Sequence, residues 1–447
     1  MTWRDRVKGG AFTREVLLLS GGTLVGQLAT VLVTPLLTRL YSPADMGLFG
    51  LYFSFVSVAS VAVCLRVDLG VASARTPREA VALLVLCMAL CPLMSMMLAG
   101  SLALLMSRHV LSFDLLPVWT VWLLLPALTA TGVFSGLRYW HVRQRDFSLI
   151  SRALVVQGSA RAGVSVVAGV GHLGWLGLVM GDLVGRCLGI YRLWTAAASA
   201  VRDDLRAGGL RALHVRLAVA WRYPLIVLPS SLLDALGAAL PIPIIATVFS
   251  PAAAGQFALA WRIATVPSGL VAASVADVFH AHSAQTQSIQ PGSMRQLVQQ
   301  TLLRLAVVAT LVFVPVCLLA PVGFRIVFGA TWTDAGVLTM LLGPLWWTST
   351  VVSPVSRLLI VIQKPALKLY FDVLFISGPL AVLYGLRAYG LTIAVAGYGL
   401  AAAAAYLVFA VLLWHVSGRA DRAALLSVDA AVSSATTSPA TISLKAG

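Results

Sequence analysis

The sequence predicts an all-α integral membrane protein of about twelve transmembrane helices, arranged as two parallel-repeat six-helix bundles around a central cavity. Three observations predict it. Hydrophobic residues make up 59% of the chain and charged residues 11%, and apolar runs of about 20 residues recur throughout, the length that crosses ~30 Å of hydrocarbon. Pro35–Leu51 (PLLTRLYSPADMGLFGL) and Pro243–Leu259 (PIIATVFSPAAAGQFAL) lie 208 positions apart. They agree at Pro35/Pro243, Ser42/Ser250, Pro43/Pro251, Ala44/Ala252, Gly47/Gly255, Phe49/Phe257 and Leu51/Leu259, which marks a duplicated unit. Six crossings separate the copies, so the chain returns to its starting side and the repeats are parallel.

In order along the chain, spans are expected at 17–39, 46–65, 80–106, 117–137, 153–170, 173–197, 223–248, 255–279, 302–322, 335–356, 369–386 and 390–415. The first follows a basic stretch, Met1–Arg14, but is long and lacks a small-residue cleavage site, so residues 1–16 read as a cytoplasmic N-terminus before an uncleaved helix. The second and eighth spans each open just after a Ser-Pro-x-x-x-Gly turn. Residues 17–197 and 223–415 are the two bundles. Between them, 198–222 is basic with apolar residues at helical spacing, as expected of an amphipathic linker on the cytoplasmic surface. Residues 416–447 turn to Ser, Ala and Thr and read as a disordered cytoplasmic tail.

Orientation follows from Lys and Arg, which are retained on the cytoplasmic side. Alternate loops carry 25 of them on one side and 4 (Arg39, Arg108, Arg325, Arg387) on the other, with Arg161, Arg186 and Arg262 inside spans. Both termini are therefore expected in the cytoplasm. A net charge of +16 is accounted for by loops facing anionic membrane lipids, without a nucleic-acid partner.

The five cysteines lie in apolar runs at spacings that suit no zinc or redox motif, and Cys87 and Cys91, four apart, read as packing, so no metal site is expected. The longest extracytoplasmic loops, near Ser107–Leu116 and Gly323–Asp334, carry no catalytic constellation. No Gly-rich phosphate loop with Lys-Ser/Thr is present. The chain reads as a non-enzyme without a cofactor.

What remains are charges inside spans, costly in hydrocarbon and so expected to face a partner or a wet cavity. Arg66 and Asp68 lie near the cytoplasmic end of the second span and either snorkel or gate. Asp182 and Arg186, four apart in the sixth span, form either a self-satisfied pair also reached by Arg161 or part of a binding site. Asp234, Asp277 and Asp372 fall in the seventh, eighth and eleventh spans. Asp277 precedes His280 and His282, where a proton relay is conceivable. Arg262 replaces the Ser54 of the first copy. Its five fixed donors suit a diphosphate that must leave water, with a structural pair to Asp234 as the alternative. Asp234, Asp68, Asp182, Asp277 and Asp372 are the candidates for ion coupling or gating.

The stretch TRLYSPADMGLFGLYFSFVSVASVAVCLRVDLGVA (Thr38–Ala72) resembles the first helical hairpin of the bacterial polysaccharide-repeat-unit flippases of the multidrug/oligosaccharidyl-lipid/polysaccharide exporter superfamily. YWHVRQRDFSLISR (Tyr139–Arg152), WRYPLIVLPSSLLDALGAALP (Trp221–Pro241), AGQFALAWRIATVPSGLVAASVADVF (Ala254–Phe279) and FGATWTDAG (Phe328–Gly336) extend the resemblance in register. It implies an enclosed cationic cavity and ion-coupled export of undecaprenyl-diphosphate-linked oligosaccharide across the bacterial inner membrane, for O-antigen or exopolysaccharide. A polysaccharide polymerase and a chain-length regulator are the implied partners. Arg66, Arg161, Arg186 and Arg262 are the residues available to bind substrate. The related flippases of peptidoglycan precursor use arginines in the first helix, whereas no basic residue stands between Glu15 and Arg39 here. A multidrug antiporter of the same superfamily and a non-transporting assembly component are the competing readings. The first should line its cavity with carboxylates; the second does not explain the buried charges.

Overall fold

The computed structural model describes residues 32–206, 223–289, 292–362, 364 and 366–437, and among these the regular structure is helical. The expected N-terminus, most of the first span, linker residues 207–222 and tail residues 438–447 lie outside the described residues.

A helix over 32–40 (α1) ends at Tyr41, and Ser42 starts α2 (Pro43–Ala62) with a reciprocal cap. The Asp45 N–H donates to the Ser42 hydroxyl and the Ser42 N–H to the Asp45 carboxylate, each at 3.1 Å. Pro43 lacks an N–H where a first-turn donor has no partner anyway. The chain then breaks where Leu65 and Arg66 take left-handed φ of 49° and 61°. Next come α3 (Val67–Ser73), α4 (Pro77–Ser107), α5 (Thr120–Arg143), α6 (Phe147–Val170) and α7 (Trp175–Arg206). Thr76 and Asp146 cap α4 and α6.

The partnership of α6 and α7 rests on Gly177, Gly181, Gly185 and Gly189, spaced four apart and so along one face. A Cβ at Gly181 would collide with the Arg161 carbonyl and one at Gly185 with the Gln157 carbonyl. Small residues at this spacing let backbones approach within a membrane, where packing drives helix association.

The second repeat begins with a π turn (Tyr223–Val227), α8 (Leu228–Ala239) and α9 (Pro241–Val248), bent by 40°. Pro241 cannot donate to the preceding turn, which favours the break. α10 (Pro251–Ile289), α11 (Met294–Val327), α12 (Thr333–Leu341), α13 (Gly343–Val352), α14 (Leu358–Val361), α15 (Ala366–Gly385) and α16 (Leu391–Thr437) follow. Among the described residues seven helices are long and apolar enough to cross a membrane, or nine if each bent pair counts as one span. α7, covering the sixth expected span, is not among them because Asp182, Arg186 and Arg192 lower its hydropathy. Exposed Met96, Met97, Trp122, Val167, Leu311 and Leu318 give the helices the apolar outer faces of a multi-pass membrane protein.

Two boundaries differ from expectation. α7 continues to Arg206, so the segment beyond 197 begins as the same helix. α16 runs to Thr437, which corrects the reading of 416–437 as disordered. Asp421 accepts the Met294 and Arg295 N–H groups at 2.8 and 2.9 Å, capping α11, and Arg295 stacks on Trp414 at 3.6 Å. These contacts give the helix a reason to persist beyond the expected span.

The chain forms two compact units. The first comprises Met1–Ile263, Leu319–Met340 and Leu383–Val395 and so joins the first repeat to parts of the second. The second comprises Ala264–Leu318, Leu341–Val382 and Ala396–Gly447. In it Ser268 bonds Thr350 at 2.9 Å, and Phe371 stacks on Phe409 at 4.0 Å.

Candidate substrate cavity

Within the first unit the two Ser-Pro-x-x-x-Gly turns meet each other. A Cβ on Gly47 would collide with the Pro251 carbonyl oxygen, and a Cβ on Gly255 with the Pro43 carbonyl oxygen. Repeat-equivalent residues thus contact one another reciprocally, as across a two-fold axis, and only glycine permits that approach. Trp332, buried, donates its Nε1–H to the Thr38 carbonyl at 2.9 Å, and Gln256 bonds the Thr331 carbonyl and the Ala335 N–H at 2.7 and 3.0 Å. These contacts close one end of the unit between elements of both repeats.

Beneath the closed end lies a small cavity lined by Leu37, Met46, Phe49, Ala162, Ser165, Leu178, Arg161 and Arg262. Arg161 comes from α6 of the first repeat and Arg262 from α10 of the second. Arg161 lies over the rings of Phe49 and Phe53 at 5.7 and 5.4 Å and reaches Asp182 at 3.2 Å. Asp182, only 2% exposed, also holds Arg186 at 2.8 Å, and Arg186 donates to Thr131 at 2.8 Å. Two guanidinium groups share one carboxylate, so this group keeps an excess positive charge. The aromatic faces and Asp182 fix the plane of Arg161 without neutralising the cavity.

The other expected residues are placed differently. Arg186 is held on Asp182 and Thr131 and does not line the cavity. Arg66 stands at the break before α3, half-buried, with Asp68 two residues further on. Asp68 is buried, and its Oδ2 accepts the Ser135 hydroxyl at 2.6 Å. Asp234 is exposed on α8, the Asp277 side chain lies outside the described residues, and Asp372 pairs with Lys368 at 2.7 Å. The glycine ladder that sets Arg161 against Asp182 and Arg186 was the missed signal. Its four-residue spacing is visible in the sequence, though nothing there says which helix it faces.

The family model described as "Polysaccharide biosynthesis protein" matches residues 36–336, more than half of the chain. The chain belongs to this polysaccharide biosynthesis family. No curated protein matches by sequence. Among solved structures, a lipid II flippase, MurJ, in an inward closed conformation matches with TM-score 0.69 at 13% identity, over 90% of this chain and 87% of that one. A MOP-superfamily transporter from Pyrococcus furiosus matches with TM-score 0.57 at 15% identity, covering 92% and 96%. A mutant of the Vibrio cholerae MATE transporter VcmN gives TM-score 0.55 at 14% identity, covering 92% and 98%. This member of the polysaccharide biosynthesis family therefore has the transporter fold of that superfamily.

Proposed function

We propose that this protein is a flippase that carries undecaprenyl-diphosphate-linked oligosaccharide repeat units across the bacterial inner membrane by alternating access, with both termini in the cytoplasm. The observation that carries the reading is the cavity lined by Arg161 and Arg262, one from each repeat, in a chain of the polysaccharide biosynthesis family. A diphosphate entering a membrane protein gives up its water shell, and charge-assisted hydrogen bonds from planar guanidinium groups replace it best. The excess of basic loops supports an orientation with the closed end, Ser42–Gly47 and Ser250–Gly255, facing outside. The cavity then receives substrate from the cytoplasmic side and releases it once the glycine contacts part. Asp68, buried yet held on one oxygen by Ser135, is the best-placed of the acids for ion coupling.

A multidrug antiporter shares the fold, but a cavity lined by two arginines repels cationic drugs. The test is substitution of Arg262. Arg262→Ala is expected to insert at normal levels yet abolish surface polysaccharide, with lipid-linked repeat units accumulating in the inner leaflet. Arg262→Lys recovers part of the export, since an ammonium keeps the charge and loses the fork. Near-normal export by well-inserted Arg262→Ala removes Arg262 from the mechanism.

A further inference from the structure

The first repeat contains a second group of side chains that transport does not use. Cys87 and Cys91 stand one turn apart on α4, and Cys64 reaches them from the turn where α2 stops. Cys64 Sγ lies 3.0 Å from Cys87 Sγ and 3.4 Å from Cys91 Sγ, and the three sulfurs all lie within 4.8 Å of one another. All three side chains are buried, at 2% exposure or less.

We propose that Cys64, Cys87 and Cys91 form a binding site for one thiophilic divalent cation of the zinc class. A metal at ~2.3 Å from three sulfurs requires them about 4 Å apart. The Cys64–Cys87 and Cys64–Cys91 edges would therefore open by roughly 0.6–1 Å, a shift within reach of small side-chain rotations. Gly132 of α5 leaves the sulfurs this freedom, because a Cβ there would press on both Cys91 Sγ and Cys64 Sγ. A second observation points the same way. Three residues along α5, Ser135 holds one oxygen of the buried Asp68, while Asp68 Oδ1 has no hydrogen-bond partner among the described residues.

Charge selects the class of ion. Three thiolates around a divalent cation leave one net negative charge, around a monovalent cation two, and the smaller charge is less costly in a buried site. Binding exchanges three S–H protons for three metal–sulfur bonds, with the protons passing to solvent and no change of oxidation state. The bound ion would tie the end of α2 to α4 across the break that carries Arg66 and Asp68.

The test uses the reduced, purified full chain carrying Cys187→Ser and Cys317→Ser, which removes the remaining thiols. Titration with cadmium, read by thiolate-to-metal charge-transfer absorption, is expected to saturate at one ion per chain and to raise the melting temperature. Proton release in weakly buffered solution should approach three per cadmium. Adding Cys64→Ser should weaken binding at least tenfold. A folded, monodisperse double variant with no charge-transfer band at stoichiometric cadmium overturns the proposal. Release of one proton or none, or undiminished binding after Cys64→Ser, does so as well.

Discussion

The two Ser-Pro-x-x-x-Gly turns descend from one duplicated unit, and two of the residue pairs they share touch across it. Pro43 and Pro251 present carbonyls, and Gly47 and Gly255 receive them. A reciprocal contact between equivalent surfaces constrains both copies alike, so neither glycine can change alone. The positions that differ point elsewhere. Asp45 completes the cap on Ser42 and also accepts the Trp175 N–H at 3.0 Å, whereas its equivalent Ala253 only donates its N–H to Ser250 at 3.1 Å. The second copy anchors itself instead through Gln256, on Thr331 and Ala335. Duplication preserved the shared seal and let the side anchors diverge. At Ser54 and Arg262 the divergence became chemical. Ser54 bonds back to its own helix at Leu51, while Arg262 lines the cavity.

The largest expected effect comes from the seal. Gly47→Ala and Gly255→Ala each force the closed end apart and should stop export in cells with normal amounts of inserted protein. Gly50→Ala, whose added Cβ meets only the Ile242 and Ala258 side chains at 3.3 and 3.6 Å, is the tolerated control. Equal export by Gly47→Ala and Gly50→Ala would break the comparison.

Next in size is the carboxylate beneath the seal. Asp182→Ala leaves Arg161 and Arg186 without their shared anion, a loss of about 3–5 kcal/mol by analogy with broken buried pairs. Arg186→Ala should cost less, because Arg161 still reaches Asp182 at 3.2 Å. Thermal unfolding in detergent checks the order, and equal losses would mean that Arg161 contributes nothing to holding Asp182.

The anchors give the smallest effect. Asp45→Ala removes half of a capping box and the bond to Trp175, a loss of roughly 1–2 kcal/mol. Ala253→Asp offers the second copy the missing cap, a gain below about 1 kcal/mol. A drop in melting temperature for Asp45→Ala with a small rise for Ala253→Asp sharpens the comparison; two drops would mean that Ala253 is held there by packing.

The sequence displays some of this directly and hides the rest for physical reasons. The duplicated turns, the parallel symmetry and the apolar spans are one-dimensional patterns, so composition and spacing expose them. The pairing of Asp182 with Arg186 follows from a four-residue interval on one helix. That Arg161 and Arg262 share a cavity does not follow, since 101 positions separate them and only tertiary packing joins them. Cys64 is 23 residues from Cys87, and a pair at helical spacing concealed a group of three. The helices α7 and α16 continue past the apolar stretch, and in α16 the bonds to Asp421 and the stacking of Arg295 on Trp414 accompany the continuation.

The central claim is that the chain moves a lipid diphosphate through a cationic cavity. The most direct measurement is transport by the purified full chain in proteoliposomes, with a fluorescent polyprenyl-diphosphate oligosaccharide and a cationic drug as parallel substrates. The account predicts translocation of the lipid diphosphate, its loss in Arg262→Ala, and no movement of the drug. Transport of the drug with the lipid diphosphate left in place would contradict it.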